Sequence, residues 1–85
     1  MADLILKQGY VLLSQTISTL DLEMDNNSCL FGEVIAVNDL CELYAENDIV
    51  LFDPVGCQII RIDKMGTFVT YYLVREDNIL LKENP

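Results

Sequence analysis

The sequence predicts a small all-β domain, either a barrel or a sandwich. Three observations carry this reading. Apolar residues recur with a period of two almost everywhere, as on half-buried strands. The apolar runs are short, and turn chemistry separates them, as in barrels and sandwiches. The chain has 85 residues, so residues 1–85 form a single domain. A barrel of that size is filled by its own side chains.

The elements follow in order. Residues 10–14 (YVLLS) are a first strand after Gly9, and residues 30–37 (LFGEVIAV) are a second. Gly32 lies inside the second strand, which points to a bulge or a close backbone approach. Residues 48–52 (DIVLF) are a third strand, closed by Asp53-Pro54 and Gly56. Residues 57–62 (CQIIRI) and 67–74 (TFVTYYLV) are the fourth and fifth, joined by a hairpin turn over 63–66 (DKMG). Residues 79–82 (ILLK) are a short sixth. The expected core positions are Val11, Leu13, Val34, Ala36, Ile49, Leu51, Ile60 and Val69, one face of each strand.

Two segments depart from the strand pattern. Residues 16–28 (TISTLDLEMDNNS) are polar overall and read as a long surface loop or an irregular hairpin, ending in strong turn chemistry. Residues 38–47 (NDLCELYAEN) hold the only helical hint. Asp39 could cap, with Glu42 three residues on, and Leu40, Leu43 and Tyr44 would share a face. Such a helix has under three turns and is marginal alone. A tight turn, a small hairpin or one helical turn is expected there, with no tall two-stranded arm.

Composition narrows the function. Fourteen acidic residues against five basic ones give a net charge of −9. This opposes binding to nucleic-acid phosphates and adsorption to an anionic membrane. No basic leader and no run of apolar residues long enough to span a membrane is visible. Three widely spaced cysteines, Cys29, Cys41 and Cys57, suit a reducing, cytoplasmic compartment better than a disulfide scaffold. Without histidine no Ser-His or Cys-His pair can be built, and the cysteines lack zinc-site spacing. No Gly-rich phosphate loop is present. The expectation is a protein that is not an enzyme and carries no metal or cofactor.

Three segments carry a resemblance. Gly32-Glu33-Val34-Ile35-Ala36-Val37 resembles the GEVLAVG strand of the GroES-like co-chaperonin family. Asn47-Asp48-Ile49-Val50-Leu51-Phe52 resembles its GDIVIF segment, and Val74-Arg75-Glu76-Asp77-Asn78-Ile79-Leu80 its closing segment. Residues 10–13 stand where the family has its first strand. The match runs in order over residues 6–83 and implies a small GroES-like β-barrel. Members form seven-membered rings that cap a chaperonin cage and assist protein folding. Their first and last strands pair between neighbouring subunits, and a loop after the first strand binds the chaperonin through an apolar tripeptide.

The resemblance therefore implies a homo-oligomeric ring, a heptamer, with a chaperonin as partner. It places the partner-binding loop at residues 16–28, with Leu20, Asp21 and Leu22 at its tip. The chain departs from the family there. The Gly-Gly pair that normally precedes the tripeptide is missing, and the roof hairpin is cut down to residues 38–46. Two other readings stay open: a structural assembly component, such as a capsid or virion protein, reusing the same barrel, and a small monomeric binding domain or unrecognised enzyme. Assembly is expected through the short apolar strands near residues 4–6 and 79–81.

Overall fold

Alternating and β-branched residues give six strands in a computed structural model of the chain, described for residues 5–16 and 29–83. They are β1 (Tyr10–Thr16), β2 (Leu30–Val37), β3 (Ile49–Phe52), β4 (Gln58–Lys64), β5 (Thr67–Arg75) and β6 (Ile79–Lys82). A 3-10 turn, Glu76–Asn78, joins the last two. All six form one antiparallel sheet in the order β4-β5-β1-β2-β3-β6. The all-β class therefore holds.

The closed barrel does not. The ladder stops at β4 on one side and β6 on the other, so the sheet is open. It is nevertheless strongly curled. The rings of Phe52 on β3 and Tyr72 on β5 lie 5.6 Å apart, tilted by 53°. β1 and β2 stand between those strands, which in a flat sheet would be roughly 14 Å apart at the usual strand spacing. The concave face thus closes on its own side chains.

That face holds the core: Val11 and Leu13 of β1, Val34 of β2, Val50 and Phe52 of β3, Val74 of β5 and Ile79 of β6. Leu30, Val37, Tyr44, Cys57 and Tyr72 pack against it. Val11, Leu13 and Val34 are where the sequence pattern put them and Leu51 is buried as expected, though on the other side of β3, while Ala36, Ile49, Ile60 and Val69 are only half-buried. In β3 the partners of Gly32 and Leu30 are Val50 and Phe52, so these two face the core. Ile49 and Leu51 have the opposite parity. Leu51 is buried, but outside the core cluster, and Ile49 is half-buried. Ala36 fails because β2 bulges. Leu12 pairs with Ala36 and Leu13 with Val34, leaving Ile35 without a partner. The extra residue resets the alternation, so Val37 rather than Ala36 packs on the core. Ile60 pairs with Tyr71, one step out of phase with Tyr72, and Val69 shares that parity; both are half-buried.

Two local details matter below. Met65 and Gly66 form a two-residue turn between Lys64 and Thr67, both with positive φ (53° and 85°). Asp63 Oδ1 accepts the Gly66 N–H at 3.0 Å. Of the forms expected at 38–47, the segment takes tight turns, with no helical turn and no two-stranded arm. Asn38 takes the role assigned to Asp39: its Oδ1 accepts the Leu40 N–H at 2.9 Å and its carbonyl accepts the Cys41 N–H at 2.9 Å. This Asx turn bends the chain before a helix can start. Leu40 and Leu43 are left exposed, while Tyr44 packs on the core.

Candidate interaction surface

A sheet edge presents unpaired N–H and C=O groups, and apolar side chains beside it make it adhesive. Both edges here have that character. Ile59 on β4 is 60% exposed and Phe68, on the neighbouring β5, is 70% exposed. The register Ile59↔Tyr72, Arg61↔Thr70 and Asp63↔Phe68 places Ile59, Arg61 and Phe68 on one face. On β6, Leu80 is 57% exposed and Leu81 also faces solvent in part. Fully burying a Leu, Ile or Phe side chain stabilises by about 1.5–3 kcal/mol, so covering these edges is favourable.

The β6 edge carries an attached loop. Lys82 Nζ donates to the Leu43 carbonyl at 3.0 Å and lies 3.7 Å from Asp48 Oδ2. Asp48 Oδ2 also accepts the Ala45 N–H at 2.9 Å. These bonds hold residues 38–48 beside β6, with exposed Asp39, Glu42 and Glu46 and exposed Leu40 and Leu43. Asn38 Nδ2 reaches the Leu6 carbonyl at 2.6 Å, tying the chain's early segment to the same loop.

At the start of β1, Arg75 lies over the Tyr10 ring, 5.9 Å from its centroid. Hydrogen bonding to Arg75, and then its charge, holds the Tyr10 hydroxyl below its ordinary pKa. The pair separates two solvent-open clefts of about 470 and 250 Å³. The smaller is lined by Lys7, Tyr10, Arg75, Glu76 and Asp77.

The cysteines are free thiols. Cys41 Sγ donates to Glu76 Oε1 at 3.0 Å and to the Tyr44 carbonyl at 3.5 Å. Burial, then the Glu76 bond, raises the Cys41 pKa; burial likewise raises that of Cys57. Nucleophilic thiols need the opposite shift. No group of three or more His, Cys, Asp or Glu residues suited to a metal occurs among the described residues, and no described helix is long and apolar enough to cross a membrane.

Leu20, Asp21 and Leu22, the expected loop tip, lie outside the described residues. Thr16 and Phe31 are register partners, so the segment that holds the tip connects neighbouring strands. The expected terminal strands are placed in part. β6 is an edge strand, whereas Ile5 and Leu6 belong to no strand. The first strand, β1, sits between β5 and β2 with both edges used. The second edge is β4, which sequence reading passed over. Its signal was present: Arg61, Asp63 and Lys64 interrupt an apolar strand, as edge strands commonly do.

The chain matches no model of a known protein family and no curated protein sequence.

Proposed function

We propose that the chain is a ring-forming subunit of co-chaperonin type, which caps a chaperonin cage in a cytoplasmic setting and assists protein folding. The observation that supports this reading is the pair of bare, apolar sheet edges on a domain too small to bury much of its own surface. Assembly is the usual remedy for such a domain. The resemblance supplies the type of assembly. Its three matched segments fall on β2, on β3 and across β5 and β6, and β2, β3 and β6 are neighbours in the sheet. A GroES-like barrel and a heptamer belong to this proposal.

In this reading residues 16–28 carry the partner contact. Leu20 and Leu22 enter an apolar groove on the chaperonin, with Asp21 between them. Such a short contact binds weakly, and a ring multiplies it by effective concentration. The experiment is co-sedimentation of the chain with a chaperonin in the presence of nucleotide, using wild type and the Leu20→Ser/Leu22→Ser variant. Binding by wild type, lost in an equally assembled and equally stable variant, supports the lid. A wild type that assembles but binds no chaperonin sinks it and promotes the structural-component reading, which the missing Gly-Gly in residues 16–31 favours.

A further inference from the structure

We infer that the larger cleft beside Arg75 binds a small carboxylate with an apolar body. Such binding needs neither assembly nor a chaperonin partner. The sheet itself makes the cleft. β4 begins at Gln58, opposite Leu73, so the last two residues of β5, Val74 and Arg75, have β1 on one side and no described strand on the other. The chain that crosses from β3 to β4 turns at residues 54–57, where the Cys57 N–H donates to the Pro54 carbonyl at 3.1 Å. That turn and Asn78 wall a space of about 470 Å³ beside Arg75. Small-molecule sites commonly have volumes of roughly 300–1,000 Å³.

Register brings the binding groups to one face. Tyr72 and Val74 point to the core side, so Leu73 and Arg75 project from the opposite face of β5. Tyr10 pairs with Arg75 and Gln58 with Leu73, so both stand on that same face. Four side chains from three neighbouring strands thus meet at the cleft. Arg75 is the one charged residue among those that line it. Acids outnumber bases fourteen to five in the chain, yet no carboxylate of the described residues forms an ion pair with Arg75. It rests instead on the Tyr10 ring, which holds the guanidinium in place. A guanidinium fork fixed in this way is shaped for the two oxygens of a carboxylate. The amides of Gln58 and Asn78 add N–H donors, while Leu73 and the 71% exposed Val55 offer apolar surface to the rest of the ligand.

The smaller cleft, on the other side of Arg75, is not equivalent. Glu76 and Asp77 line it together with Lys7 and Arg75, so its charges compensate one another. A phosphate suits the larger cleft less well than a carboxylate. A single cation would face up to two negative charges, and Val55 and Leu73 would have nothing apolar to cover. The net charge of −9 repels any anion at a distance. At physiological ionic strength, screening confines that repulsion to about 8 Å, whereas the guanidinium acts in contact.

Benzoate, neutral benzamide and inorganic phosphate test the inference, each titrated into the full chain and read by amide chemical shifts. Benzoate is expected to bind saturably, with its shifts gathered at residues 55–58, 73–75 and 78. It is expected to bind about tenfold or more tighter than benzamide or phosphate, as a charge-assisted hydrogen bond would give. Arg75→Gln should bring benzoate down to the level of benzamide. Arg75→Lys should recover little of the loss, because an ammonium lacks the fork. Val55→Ser should weaken benzoate and benzamide by the same factor. Arg75 and Val55 are both exposed, and circular dichroism establishes that the variants fold. If Arg75→Gln does not fold, the contrast between benzoate and benzamide on wild type decides alone. No saturable binding of benzoate overturns the site. So does benzamide binding as tightly, full affinity in a folded Arg75→Gln protein, or shifts gathered at residues 7–9 in the smaller cleft. Phosphate binding as tightly as benzoate overturns the choice of a carboxylate.

Discussion

Replacing Gly32 with Ala tests the core directly. Gly32 lies on the concave face of β2, paired with Gln15 and Val50. A Cβ there would stand 3.0 Å from Phe52 Cε1, 3.1 Å from Leu13 Cβ and 3.3 Å from Leu13 Cδ1. These neighbours cannot easily give way. Leu13 Cβ is fixed by the backbone, and the fully buried Phe52 ring packs on Tyr72. Overpacking of this kind costs about 1–3 kcal/mol. The lower entropy of the unfolded Ala chain offsets about 0.4–1 kcal/mol of that. A net loss of about 1–2 kcal/mol is expected, which lowers Tm by roughly 5–15 °C in a domain of this size. Thermal melting by circular dichroism reads it. In a Phe52→Leu background the Gly32→Ala loss should shrink by about 0.5 kcal/mol or more, since contacting residues couple. A Gly32→Ala protein that melts at or above wild type would refute the close packing of β1, β2 and β3 on this face.

Three further outcomes are expected. Met65→Asn should stabilise the β4–β5 turn by a few tenths to about 1 kcal/mol, because Asn accepts the positive φ that strains Met65; urea denaturation checks it. Lys82→Met should cost at most about 1 kcal/mol, yet raise amide exchange at Cys41 and Asn47, because the loop loses its tie to β6. Folding raises the pKa of Cys41 above the ordinary 9.0, so its contribution to stability is complete below that value and is lost as pH rises through the folded pKa. Chemical denaturation between pH 8 and 10.5 should therefore fall less steeply in Cys41→Ala than in wild type. An identical slope contradicts the raised pKa that burial, and then the Glu76 bond, give Cys41.

The strands were legible because turn residues punctuate them: Gly9, Asp53-Pro54, Gly56 and Met65-Gly66 all fall between elements. Facing was harder to read. The runs VLL in β1 and IVLF in β3 are continuous, so alternation does not say which residue points inward. Register decides it, and register comes from the partner strand. The bulge at Ile35 then inverts the phase within β2 itself. Closure of the sheet was illegible for a related reason, since it depends on how far the curl carries β4 from β6. The helical hint at 38–47 was real as a pattern, but Asn38 offered the backbone a competing turn. On the candidate surface, the β6 edge was read from its short apolar run. The β4 edge was missed because the pattern of a single strand does not say whether it has an outer neighbour.

Native mass spectrometry of the wild-type chain at micromolar concentration tests the assembly most directly. One closed species at a fixed multiple of 9.6 kDa is expected, seven-fold if the resemblance extends to ring size. A single species at 9.6 kDa, unchanged across a hundred-fold range of concentration, would contradict assembly through the β4 and β6 edges.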